Sequence, residues 1–126
     1  MVRDVSPEEL EDIVKNTRVV LVDCWAAWCS PCRALAPIFE GLEAKYADNK
    51  NVAFLKLDVD KYRAFAIEKK ITAIPCVLVY RNGKPATIKI YNRFKQGYDT
   101  SDQLVGLRDA EDYEAVIKQL LEEQNT

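Results

Sequence analysis

Two cysteines separated by two residues are the part of this sequence best suited to chemistry. The segment Trp28-Cys29-Ser30-Pro31-Cys32 follows a run of aliphatic residues and opens a helical pattern. Free backbone N–H groups and the positive end of a helix dipole favour an anion, so the Cys29 thiol should ionise readily and act as a nucleophile. Cys32 lies one helical turn later, close enough to attack and release a mixed disulfide. Pro31 suits the first helical turn, where no N–H donor is needed.

The same cysteine spacing also occurs in half of a zinc or iron–sulfur site. The chain has four cysteines and no histidine, so such a site would need Cys24 and Cys76 as further ligands. Each of these lies alone in an apolar run, which favours small buried hydrophobic residues over ligands. We therefore predict no metal and no bound cofactor. Cys76 directly follows Pro75, and a redox-sensitive third thiol at this position is an alternative.

Asp23 is an acidic residue placed directly after four aliphatic residues. A carboxyl group in such a strand should lose its hydration, which raises its pKa. That property suits a group that exchanges a proton with a neighbouring thiol. The alternative is a structural ion pair or an acid at the end of a strand.

The sequence alternates strands and helices that could position these residues. Ser6, Pro7 and Glu9 form the start signal of a first helix, which should end near residue 15. Hydrophobic periodicity predicts three strands, at 19–22, 52–58 and 76–80. It also predicts three further helices. One begins at Cys29 and should kink at Pro37, the second spans 61–70, and the last follows a cap at Asp109. Residues 87–91 alternate like an exposed strand, whereas the polar stretch 92–102 predicts no element.

Size and charge exclude several classes of protein. With 126 residues the chain fits one domain, 1–126, and its 18 basic and 20 acidic residues give a net charge of −2. Such a balance gives no field that attracts nucleic acid or an anionic membrane. The longest apolar run, 74–80, is too short to span a bilayer, and the first residues have no signal-peptide core. We therefore expect a cytoplasmic protein without nucleic-acid or membrane partners.

Several spaced motifs together resemble the thioredoxin family. They cover nearly the whole chain except about 84–104, and they occur in the family's order: 19–33 with its two cysteines, Pro37, 56–60, 71–75 and Val105-Gly106. The resemblance implies an α/β thioredoxin fold, with a central mixed β-sheet flanked by helices on both faces. It also implies that Asp23 assists deprotonation of Cys32 and that Lys56, on the adjacent strand, pairs with Asp23.

The resemblance further implies a groove for an extended substrate beside the cysteines. The bond before Pro75 is cis in the family, which would expose the backbone of Ile74 to a substrate that pairs as an added strand. Gly106 is similar to the family's groove glycine, and Trp28 should be partly exposed beside the nucleophile.

These features predict a protein disulfide reductase. Cys29 would attack the disulfide of a client protein, and Cys32 would resolve the intermediate. The resemblance implies that a thioredoxin reductase would reduce the resulting bridge. We expect a monomer. The alternative is a binding module or a specialised redox adaptor with the same fold but without general reductase activity.

The sequence departs from the family at two places. Ser30 stands where thioredoxins usually have glycine, so the redox potential does not follow from the resemblance. The segment 85–104 is about ten residues longer than expected, and insertions of this kind concentrate in surface loops. The basic residues of this segment, with Lys84 just before it, would make either a docking hairpin or a solvated loop; within the segment they are Lys89, Arg93 and Lys95.

Overall fold

The computed structural model describes residues 1–122. Four helices surround a sheet, and they are α1 (Pro7–Asn16), α2 (Ser30–Lys45), α3 (Arg63–Glu68) and α4 (Ala110–Glu122). Strands of the central sheet are β1 (Arg3–Asp4), β2 (Val19–Trp25), β3 (Val52–Asp58), β4 (Cys76–Arg81), β5 (Lys84–Pro85) and β8 (Gln103–Val105). Two further strands, β6 (Ile88–Asn92) and β7 (Gly97–Ser101), form a separate hairpin. Within the described residues, no helix is both long and apolar enough to cross a membrane.

The sheet is mixed, and β2 lies at its centre. Its order is β1-β3-β2-β4-β5, with β8 also paired to β4. β3 runs parallel to β2, whereas β4 runs antiparallel to it. The unbroken aliphatic run that predicted a central strand is explained by this position, because β2 is covered on both faces.

Helices cover both faces of the sheet, which confirms the predicted fold class. On one face α2 and α4 contribute side chains such as Phe39 and Ile117 to a core that includes Leu21. On the other face α1 and the region of α3 pack around Val20 and Val22. Because successive side chains of a strand point to opposite faces, Asp23 lies on the α2 side and Cys24 on the α1 side.

The local helix signals gave mixed results. The capping box is confirmed, since the Ser6 hydroxyl accepts a hydrogen bond from the Glu9 N–H and the Glu9 carboxylate accepts one from the Ser6 N–H. α2 continues through Pro37. The predicted helix 61–70 is too long, because the Asp58 carboxylate holds residues 58–61 in a turn and Lys70 has a positive φ of 57°.

The additional segment is a hairpin inserted between two short strands, β5 and β8, that pair with opposite ends of β4. The predicted strand at 87–91 is confirmed as β6, whose Ile88 is fully buried. The prediction that the polar stretch 92–102 forms no element is wrong in part, because this stretch contains β7. The hairpin is not uniformly basic, because Lys95 forms an ion pair with Asp99 at 2.5 Å on the returning strand.

Candidate active site

The two cysteines meet where β2 leads into α2. Cys29 is the N-cap residue of α2, and its sulfur accepts a hydrogen bond from the backbone N–H of Cys32 at 3.2 Å. Cys29 and Cys32 form a disulfide with a Cα–Cα distance of 5.3 Å, within the usual range for such bonds. The start of the helix therefore both holds the pair together and offers an N–H donor to the Cys29 sulfur.

The disulfide is largely covered by its surroundings. Cys29 and Cys32 are 3% and 4% exposed and pack with Ala26, and Ile74 lies against this cluster. The two intervening residues, Ser30 and Pro31, are exposed. A partner must therefore reach the sulfur atoms along the surface formed by the loop of the cysteine pair.

Asp23 is a buried carboxyl group on the face of the sheet that α2 covers. It is 4% exposed, and its Oδ1 has no hydrogen-bond partner. Burial raises the pKa of Asp23 to about 7; Lys56 opposes this shift, while Asp4 adds to it. The raised pKa that the sequence predicted is therefore present, and the protonation of this carboxyl group changes near neutral pH.

Lys56 lies opposite Asp23 in the parallel register of β2 and β3. Its ammonium group sits over the ring of Trp25, 5.5 Å from the centroid. Within residues 1–122, no ion pair shorter than 4 Å joins Lys56 to Asp23. Lys56 thus influences the carboxyl group through its charge and not through a direct contact.

Trp28 projects beside the cysteine pair and is 68% exposed. Its indole N–H donates a hydrogen bond to the Asp60 carboxylate at 2.9 Å, which fixes the ring. Trp28 and Ile74 line the same open cavity of about 350 Å³, together with Ile67. An apolar side chain of a partner could be buried here.

The loop before β4 completes the surroundings of the disulfide. The Ile74–Pro75 peptide bond is cis. The Pro75 carbonyl accepts a hydrogen bond from the Gly106 N–H at 2.8 Å, and Gly106 has a φ of +91° that favours glycine. The structure thus brings Ile74, Pro75 and Gly106 together, as the resemblance implied.

Cys24 and Cys76 lie on the other face of the sheet, in the core beneath α1. They are therefore not part of a cluster with Cys29 and Cys32. Across residues 1–122, no group of three or more potential metal-binding side chains is close enough to hold an ion.

Sequence reasoning missed two acidic residues of the site. Asp4 accepts a hydrogen bond from the Trp25 indole at 3.4 Å and raises the pKa of Asp23. It belongs to β1, a strand of two residues, which is too short to show any periodicity. Asp60, which orients Trp28, lies in the motif 56–60, whose only signal in the sequence is its resemblance to the family.

Comparison with known proteins decides the family. The family model described as Thioredoxin matches residues 1–119. The chain belongs to the thioredoxin family. It is 40% identical to Thioredoxin-1 of Schizosaccharomyces pombe over 67% of the chain and 80% of the relative. It is 39% identical to the thioredoxin of Coprinus comatus over 61% of the chain and 72% of the relative. It is also 32% identical to the mitochondrial thioredoxin of Mus musculus over 91% of the chain and 59% of the relative.

Solved thioredoxins have the same fold. A mutant thioredoxin of Halobacterium salinarum superposes with a TM-score of 0.74 at 26% identity, over 98% of this chain and 93% of that chain. The oxidised thioredoxin of Plasmodium falciparum superposes with a TM-score of 0.69 at 28% identity, over 94% of this chain and 97% of that chain. With the disulfide at the start of α2, this membership makes the chain a thiol–disulfide oxidoreductase, and Cys29 and Cys32 are its redox-active pair.

Proposed function

We propose that this thioredoxin reduces client proteins through sequential attack by its two cysteines. The Cys29 thiolate attacks one sulfur of the client disulfide, forming a mixed disulfide and releasing one client thiolate. Cys32 then attacks Cys29, which frees the second client thiolate and restores the Cys29–Cys32 bond. The client gains two electrons and the protein loses two. The hydrogen bond from the Cys32 N–H to the Cys29 sulfur supports this order, because it stabilises a thiolate at Cys29.

Asp23 is proposed as the group that receives the Cys32 proton before the second attack. Its side chain lies on the face that α2 covers, and Cys32 lies in the first turn of that helix. With a pKa of about 7, a substantial fraction of Asp23 is ionised at neutral pH and able to accept a proton. Lys56 tunes this equilibrium, since its positive charge favours the ionised form.

Clients are proposed to dock on the surface formed by Trp28, Ile74, Pro75 and Gly106. Trp28 and Ile74 offer apolar contact area, while the backbone before Pro75 offers hydrogen bonds to an extended segment. Ser30 and Pro31 border the same surface from the cysteine loop. Trp28→Ala should raise the KM for a folded client more than it lowers kcat, because the indole contributes to binding.

The order of attack is tested by trapping. In Cys32→Ser the first step should proceed and the second should stop, so a mixed disulfide between Cys29 and the client should accumulate. Mass spectrometry of the adduct identifies the bonded cysteine. The matched control is Cys29→Ser, which should accumulate no adduct. Adducts formed equally through Cys32 would contradict the assignment.

Thioredoxin reductase is proposed as the electron donor. Family membership supports this, because thioredoxins in general are returned to the dithiol by such an enzyme. NADPH oxidation by purified thioredoxin reductase should require this protein when insulin is the final acceptor. Absence of NADPH oxidation would contradict the proposal, and reduction by glutathione in its place would assign a different donor.

A monomer in the cytoplasm is the remaining part of the proposal. Two unpaired buried thiols, Cys24 and Cys76, are consistent with a reducing compartment. The relatives include mitochondrial thioredoxins, so the mitochondrion is the alternative compartment. Cell fractionation should find the protein in the cytoplasmic fraction, and light scattering should give the mass of one chain.

A further inference from the structure

Cys24 and Cys76 lie directly opposite each other on neighbouring strands. They are paired in the antiparallel register of β2 and β4. Opposed residues in such a ladder point to the same face, and both side chains belong to the core beneath α1. The two cysteines lie far apart in the sequence, whereas the structure makes them one dithiol.

The distance between the two strands suits a disulfide. Opposed residues in an antiparallel pair have Cα atoms about 4.5 or 5.5 Å apart, depending on the hydrogen-bond pattern. Disulfides span Cα separations of about 4.4–6.8 Å, so either type of pair lies within the range. A bond between Cys24 and Cys76 would need rotation of the two side chains and no new strand pairing.

The described structure shows the reduced state of this pair. Cys24 and Cys76 are free thiols, although the Cys29–Cys32 disulfide is formed in the same molecule. The Cys76 thiol donates to the Gln103 side-chain oxygen at 3.7 Å, and the Cys24 thiol donates to the Val22 carbonyl at 3.9 Å. Burial raises the pKa of Cys76 to about 11 and that of Cys24 well above its usual value.

We propose that Cys24 and Cys76 are a second redox site, which a small peroxide oxidises to a disulfide that joins β2 to β4. Both side chains are 0% exposed, so protein disulfides do not reach them, whereas hydrogen peroxide is small enough to enter when the core beneath α1 opens locally. One thiol gives up its proton and attacks the peroxide as a thiolate, which forms a sulfenic acid and releases hydroxide; the hydroxide takes up that proton and becomes water. The other thiol then displaces water from the sulfenic acid and forms the disulfide. The dithiol loses two electrons, and the peroxide becomes two molecules of water.

The position of this bond gives it a structural consequence. β2 leads into the loop of Cys29, and β4 begins directly after Pro75. A Cys24–Cys76 disulfide would therefore connect the two strands that carry both active-site loops. Fully oxidised protein would hold one disulfide at the start of α2 and one in the core beneath α1, and full reduction would take four electrons.

The test uses Cys29→Ser/Cys32→Ser protein, which removes the first dithiol and makes the result independent of the reductase mechanism. The folded variant is treated with hydrogen peroxide, catalase is added, and the protein is digested with trypsin without reduction. Tryptic peptide 19–33 then contains Cys24 alone, and peptide 71–81 contains Cys76. The proposal expects these two peptides joined, in monomeric protein, with a mass lower by two hydrogen atoms and reversal by dithiothreitol.

Two outcomes would overturn the proposal. One is that both thiols remain available for alkylation after denaturation, and the other is separate oxidation of the two cysteines to sulfinic acids. A matched variant with Cys76→Ala added should show no joined peptides. A second measurement does not depend on how the serine variant folds. Peroxide-treated wild-type protein should have no free thiols after denaturation, and dithiothreitol should restore all four; two free thiols before reduction, or only two after it, would contradict the proposal.

Discussion

Asp23→Asn should stabilise the protein at neutral pH while slowing its turnover. The amide matches the shape of the protonated carboxyl group and does not ionise. Asp23 is 4% exposed and its Oδ1 has no partner, so wild-type protein must bury a charge once the group is ionised. The variant avoids this cost and also loses the proposed proton acceptor for Cys32.

The size of the effect follows from the two pKa values of Asp23. The pKa is about 7 in the folded protein, against an ordinary value of 3.8. Between these pH values the folded protein holds a proton that the unfolded chain has lost, so the free energy of unfolding falls as the pH rises. The interval is about three pH units, and at about 1.4 kcal/mol per unit it amounts to about 4 kcal/mol. This loss of stability is absent at pH values below the pKa of Asp23 in the unfolded chain, and it is complete at pH values above its pKa in the folded protein.

Urea denaturation of oxidised protein at pH 4 and pH 8 measures this difference. The stability of Asp23→Asn relative to wild type should grow by about 4 kcal/mol between the two pH values. Comparing variant with wild type cancels the titration of all other groups. Asp48→Asn, at an exposed aspartate, is the matched control and should show little change. A stability difference that is the same at both pH values would refute the account of Asp23.

Four further variants test other contacts. Lys56→Gln should raise the pKa of Asp23 and Asp4→Asn should lower it, because Lys56 lowers this pKa and Asp4 raises it. Carbon NMR of the Asp23 carboxyl group measures the pKa in both variants. A shift in the same direction in both would contradict this prediction. Ser6→Ala should cost about 1 kcal/mol in urea denaturation through loss of the capping box, whereas Ser6→Thr should retain most stability. Tyr113→Phe should stabilise the protein by about 1 kcal/mol, because the buried hydroxyl has no partner; a loss of stability would show that it has one.

The cysteine site could be predicted from sequence because its signals are local. A helix start, a spacing of one helical turn and a proline in the first turn place Cys29 and Cys32 together without reference to the rest of the chain. The aliphatic run before Asp23 also predicted a buried strand and a raised pKa. Both predictions depend on short segments, in which the neighbouring residue types indicate whether a side chain is buried or begins a helix.

Features that depend on distant segments could not be predicted. Strand β1 has two residues and forms only because it pairs with β3, so the sequence could not place Asp4 in the sheet. The opposition of Cys24 and Cys76 depends on the register of β4, and a shift by one residue would place Cys76 on the other face. The turn of the β6–β7 hairpin lies in a polar stretch without alternation, so β7 was missed.

Reduction of insulin by dithiothreitol in the presence of catalytic amounts of this protein tests the central claim most directly. Wild-type protein should accelerate the precipitation of the insulin chains, and Cys29→Ser should not, because the first attack on the client requires the Cys29 thiolate. Cys24→Ala, which leaves the active-site pair intact, is the control for folding and should retain the acceleration. Equal acceleration by wild type and Cys29→Ser, or none by wild type, would contradict the account.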